Sequence, residues 1–158
     1  MPWYLRPTVL VSIANTEKNK ITAMRNNPDL HDAEIESQLQ ALHAPLAHLR
    51  AAAAKRLGQL KAGASGLVNA LQDTSEVVRL AAAQALSNLP ASDEAERALI
   101  LDHLLSAIDD PSDKVCQAAI WSLGMRRESS ASDQIAELLN VSNPYIAGNA
   151  LLLSLIHI

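Results

Sequence analysis

The feature that most constrains this chain is that it repeats itself. The segments Leu49–Gly58, Val78–Ser87, Val115–Gly124 and Ile146–Leu152 align, and their starts are 29, 37 and 31 residues apart. The same offsets bring Leu42, Leu71, Ile108 and Leu139 into one column, and Gln38, Leu67, Leu104 and Ile135 into another four positions earlier. Two columns obeying one set of spacings describe a repeated pair of helices rather than a single recurring motif. Such a pair cannot bury its apolar face alone and must stack on its neighbours. The expected fold is therefore all-α, an α-solenoid of about four stacked antiparallel helix pairs, with units near residues 33–60, 65–89, 93–126 and 132–152.

Composition agrees with close helix packing. Hydrophobic residues make up 49% of the 158, yet Phe is absent and aromatics are only 3%, so the core has to be built from Ala and aliphatic side chains. Ala82, Ala85, Ala118, Ala119 and Ser122 are small enough to let helices approach closely. Local signals set the ends. Asp73 and Glu76 have capping-box spacing, which predicts a helix from near Thr74 to about Leu89, before Pro90. Ser92, Asp93 and Glu94 suit the start of a helix through about Ile108, Pro111–Asp113 opens one to about Arg126, and Asn143–Pro144 opens another.

A formal net charge of −4 gives no global field for nucleic acid or an anionic membrane. No partner of either kind is expected. The single cysteine, Cys116, lies in an apolar helical run, as a buried thiol in a reducing compartment would. No signal-peptide pattern opens the chain, and the longest apolar run falls far short of the roughly 20 residues needed to cross a bilayer. A cytoplasmic location is the expectation.

At Asp73–Leu86 and at Asp110–Val115 continuing to Trp121–Gly124, the sequence resembles the HEAT-repeat superfamily, in particular its short bacterial form, the phycobilisome-lyase HEAT-like repeats. The resemblance covers about residues 33–152. It implies an Asp in the turn between the two helices and an Arg near the start of the second, forming a ladder along the stack. Asp73 and Asp110 hold the first position and Arg50 and Arg79 the second, whereas Cys116 and Ala147 replace the later arginines. An offset pairing, Arg50 with Asp73 and Arg79 with Asp110, is one reading; solvated surface charges are the other.

In that family the second helix of each pair lines the inner surface. Carried over by column, the outward positions are Lys55, Gln84, Trp121 and Leu152, with Ala51, Leu80, Gln117 and Gly148 one turn earlier. Trp121, Gln117, Gln84, Leu80 and Lys55 are thus the candidate partner-binding residues. Trp121 is either an exposed anchor of the kind interfaces use or a satellite of the core.

No catalytic set stands out, and an enzymatic role is not expected. His43 and His48 are five apart with Pro45 between them, and His31 and His103 lie elsewhere, so no pair has metal-binding helical spacing. Acidic pairs fall at helix starts, the five glycines follow helix ends or repeat positions, and Arg126–Arg127 complements the end of its own helix. Neither a metal nor a cofactor is expected.

The first thirty residues form a poorly defined N-terminal segment. At the other end, Leu153–Ile158 resembles the translation of a transposase adapter used in sequencing libraries, which implies a non-native tail on a natural chain that was longer. The expected function is a scaffold that binds a protein partner on the curved face of the solenoid. The alternative implied by the resemblance is a bilin lyase subunit or another chromophore-handling protein.

Overall fold

A computed structural model of the chain describes residues 28–126. The expected fourth unit, its Asn143–Pro144 start, Ala147, Gly148, Leu152 and the tail 153–158 lie outside the described residues, as does most of the N-terminal segment. Six α-helices fill the described part: α1 (Pro28–Ala41), α2 (Ala47–Leu60), α3 (Ala64–Ala70), α4 (Glu76–Leu86), α5 (Glu94–Ser106) and α6 (Asp113–Arg126). A 3₁₀ turn, Ala107–Asp109, extends α5. Contacts separate two compact units, Met1–Ser37 and Gln38–Ile158. In the first, the described residues are the opening turns of α1, where His31 Nδ1 lies 3.9 Å from Asp32 Oδ1.

In the second unit the helices form two rows. Helix α2 packs on α4 and α4 on α6, giving one row; α3 packs on α5 in the other, and within each repeat α3 contacts α4 and α5 contacts α6. The repeated columns are its core. Leu42, Leu71 and Ile108 are buried, and so are Leu67 and Leu104, with Gln38 half-buried at the start of the second column. The segment column divides: Val78 and Val115 are fully buried at 0% exposure, but Leu49 is 45% exposed. Spacing alone assigns Leu49 the same environment as the two valines. It does not have it.

Small side chains set the closeness of the α2–α4–α6 row. Ala53, Ala54, Ala82, Ala83 and Ala119 are buried to within 1%. A Cβ added at Gly58 would fall 2.8 Å from Ala85 Cβ and 2.9 Å from Ala85 Cα, so here the α2 backbone lies against α4 with no room for a methyl group.

Helix ends depart from the sequence signals in instructive ways. Helix α4 runs Glu76–Leu86, shorter than Thr74–Leu89, and Ser75 rather than Asp73 precedes its first turn. The capping box between Asp73 and Glu76 does not form, because Asp73 Oδ1 accepts the Ser75 N–H at 2.8 Å in the turn. At α5 the cap does form, with the return bond displaced by one residue to Ser92. Asp93 accepts the Glu96 N–H at 2.8 Å, and the Glu96 carboxylate accepts from Ser92 N and Oγ.

After α2 the chain makes the paired bonds of a Schellman turn, Ala62 N–H to the Leu57 carbonyl and Lys61 N–H to that of Gly58. The left-handed residue is Lys61, at φ 54°, and glycine comes two residues later, at φ 78° before α3. An L side chain in this conformation costs free energy that glycine avoids. Lys61→Gly is therefore expected to stabilise the fold by roughly 0.5–1 kcal/mol, measured as a higher urea midpoint at unchanged m.

Candidate functional site

Two arginines join one repeat to the next. Arg50, on α2, donates from Nε and Nη2 to the Asp73 carboxylate at 2.7 and 2.8 Å, while its Nη1 reaches the Ala44 and Pro45 carbonyls. Arg79, on α4, repeats the arrangement: Nε and Nη2 donate to Asp110 at 2.7 and 3.0 Å, and Nη1 to the Asp73 and Thr74 carbonyls. Each guanidinium thus clasps its own turn with one edge and the next turn's carboxylate with another. The planar fork suits this double duty, which an ammonium could not perform.

The aspartates are committed on both sides. Asp73 and Asp110 also accept the N–H of the residue two ahead, Ser75 and Ser112. The Arg50 hydrogen bonds hold the Asp73 carboxyl below the usual carboxylate range. Burial pushes the Asp110 carboxyl up, but the Arg79 guanidinium and the Ser112 N–H outweigh it and leave it low.

Cys116 occupies the next arginine position. Its thiol donates to the Asp110 carbonyl at 3.0 Å, keeping one bond of the clasp. Burial raises its pKa, with the Asp110 charge adding to the effect, so the group is a thiol at neutral pH.

The carboxyl end of α4 is held by side chains from α6. Arg126 stands in the last turn of its own helix, as the sequence reading has it, and also reaches across to α4. Its Nη1 donates to the carbonyls of Leu86 at 3.0 Å and Leu89 at 2.8 Å. One turn earlier, the fully buried Ser122 hydroxyl donates to the Ala83 carbonyl at 2.6 Å. Ser122 is thus more than a small packing residue, because it satisfies a carbonyl in the last turn of α4.

The outer face of the α2–α4–α6 row carries the candidate binding residues. Lys55, Gln84, Gln117 and Trp121 are exposed, Trp121 to 53%. Leu80 is half-buried, and Ala51, placed by column on the same face, is buried. The helices do not present identical faces, because Ala51 is too short to reach past its neighbours. Val77 and Met125 are exposed on the same row, at 52% and 45%; the columns did not single them out. Trp121 and Met125 are four apart and lie on one side of α6.

Among the described residues, no group of three or more His, Cys, Asp or Glu side chains gathers as metal ligands do. His103 Nδ1 lies 2.9 Å from the Leu99 carbonyl. No described helix is long and apolar enough to cross a membrane.

The family profile described as HEAT repeat matches residues 65–89 and 100–125, which take in α3 with α4 and α5 with α6. These two helix pairs match the HEAT-repeat profile. No match to the sequence was found among curated proteins. Among solved structures, the chain is similar to the complex of CpcE and CpcF of phycocyanin lyase from Nostoc sp. PCC7120, with a TM-score of 0.64 and 20% identity over 82% of this chain and 91% of that one. The expectation that the chain is no enzyme is overturned by this likeness. A chain of similar fold is part of a phycocyanin lyase complex, so the lack of a recognisable catalytic motif does not argue against an enzymatic role.

Proposed function

We propose that this HEAT-repeat chain recognises a protein partner across the exposed face of α2, α4 and α6, with Trp121 as the central contact. The observation supporting this is the 53% exposure of Trp121 on a helix buried along its opposite side. An indole left in water on a rigid support offers a large apolar area that a partner can cover at little cost in conformational entropy. Gln117, Gln84 and Lys55 supply a polar surround, and Leu80 adds apolar surface toward the middle of the row.

Replacing Trp121 with Ala is expected to weaken capture of the partner by tenfold or more, as the loss of about 2 kcal/mol at an interface anchor would. Far-UV circular dichroism should stay the same. Undiminished capture would remove Trp121 from the interface, and loss of helical signal would move it into the core.

The likeness to a phycocyanin lyase complex favours a second reading, a subunit of a chromophore lyase of that kind. In that structure two subunits are held in complex, so partner recognition is common to both readings. Visible absorbance on incubation with bilin tests the second one separately, and an unchanged spectrum rejects it.

A further inference from the structure

The turns that precede α2, α4 and α6 are joined by one continuous run of hydrogen bonds. Arg50 donates from Nη1 to the Ala44 and Pro45 carbonyls and from Nε and Nη2 to the Asp73 carboxylate. Asp73 passes the connection on through its own backbone, because its carbonyl accepts from Arg79 Nη1. Arg79 then reaches the Asp110 carboxylate, and the Asp110 carbonyl accepts from the Cys116 thiol. Each aspartate is thus a link with two ends, a carboxylate that receives the preceding repeat and a carbonyl that receives its own. We infer that this run makes the three turns one cooperative unit, in which Arg50 and Cys116, standing two repeats apart, are energetically coupled.

The links are stiff, which lets a displacement travel along them. A guanidinium is planar, so the edge held by one turn and the edge held by the next cannot move separately. Within an aspartate the weak point is rotation of the side chain. The Ser75 N–H donates to Asp73 Oδ1 and the Ser112 N–H to Asp110 Oδ1, both at 2.8 Å, and this fastens each carboxylate to the turn that carries its carbonyl. The four charged side chains are no more than 15% exposed, so water does little to loosen the run, and hydrogen bonds in series in such surroundings strengthen one another. The charges agree with the geometry. Asp73 is held low foremost by its Arg50 hydrogen bonds and further by the charge of Arg79, so it senses the arginines on both sides of it.

Cys116 supplies a separate observation. It stands in the column of Arg50 and Arg79, where the change of residue type reads as a lost position of the ladder. One bond of that position nevertheless survives. In each of the three repeats the side chain six residues on donates to the same carbonyl, Arg50 to Ala44 at 2.9 Å, Arg79 to Asp73 at 2.9 Å and Cys116 to Asp110 at 3.0 Å. A contact kept through the exchange of a guanidinium for a thiol belongs to the turn and not to the charge. The same three turns open the helices that carry Lys55, Gln84 and Trp121, yet the coupling does not depend on Trp121 being a partner contact.

Native-state hydrogen exchange of the full chain tests this, because the Ser75 and Ser112 amides each report the opening of one turn. Arg50→Ala should speed exchange at Ser75 directly and at Ser112, one turn further on, by about three- to fivefold. Cys116→Ala removes a single uncharged bond and leaves the helices intact; since coupling is reciprocal, it should speed exchange at Ser75 about twofold. Should Arg50→Ala fail to fold, the Cys116→Ala reading decides alone. Ser122→Ala is the control, as its bond to the Ala83 carbonyl joins α6 to α4 outside the run. Unchanged exchange at Ser112 in Arg50→Ala, or at Ser75 in Cys116→Ala, would make the turns independent and overturn the inference. Equal acceleration at both serines in Ser122→Ala would reduce it to general loosening of the stack. Full protection of Ser112 in Arg50→Lys would also overturn it, because an ammonium restores the charge but cannot hold two turns at once.

Discussion

Arg79→Ala will lower the stability of the stack by about 2–4 kcal/mol, measured by urea unfolding, because it removes more than an ion pair. The side chain is only 14% exposed, and its loss strands an Asp110 carboxylate that is 7% exposed, along with the Asp73 and Thr74 carbonyls of the preceding turn. Asp110→Asn is the milder change, since it keeps an acceptor and the shape. A double-mutant cycle between Arg79 and Asp110 should give a coupling of about 1–2 kcal/mol; a value within error of zero would reduce the pair to solvated charges. Arg79→Lys should recover little, as a single ammonium cannot serve two turns.

The same pair makes stability depend on pH in a defined direction. Both Asp73 and Asp110 titrate below their unfolded values, so the stability they contribute is fully present above the unfolded carboxylate pKa, near 3.9, and is lost as pH falls through the lower folded values. The stability difference between wild type and Asp110→Asn should therefore be constant above about pH 5 and shrink in the acid limb. A difference that grew as pH fell would contradict the sign.

Gly58→Leu is the second large effect expected, a loss of about 3 kcal/mol despite the better helix propensity of leucine. The added Cβ alone would stand 2.9 Å from a backbone atom, Ala85 Cα, which cannot turn aside as a flexible side chain would. Helices α2 and α4 would have to separate and open the buried contacts around Ala53, Ala54 and Ala82. Thermal unfolding of the variant measures the cost, and a wild-type melting temperature would show that the seam can widen freely.

What the sequence made legible was the part encoded in side-chain character. Leu42, Leu71 and Ile108 declare a buried column by being apolar at a fixed spacing, and the helices of the row follow from that periodicity. The departures come where the backbone decides. Ser122 and Arg126 bond to carbonyls, which every residue has, so nothing in the sequence of α4 marks Ala83 or Leu86 as the acceptor. Lys61 escaped notice because lysine is no turn signal, although Gly63 nearby is one. Asp73 and Glu76 had the spacing of a cap, but the carboxylate was already bonded to Ser75 and Arg50. In the candidate face, spacing located Trp121 yet missed Val77 and Met125, whose exposure depends on how far neighbouring helices extend.

The two seams of the row differ mechanically. Between α4 and α6, hydrogen bonds lie at both ends, Arg79 to Asp110 at one and Ser122 and Arg126 to α4 carbonyls at the other. Twisting that junction would break directional bonds whichever way it turned. Between α2 and α4, Arg50 and Asp73 secure one end, while Gly58 meets Ala85 at the other through carbon atoms that have no preferred bond angle. The two junctions thus resist twisting by different means, directional bonds at both ends between α4 and α6, and an ion pair with a close carbon seam between α2 and α4.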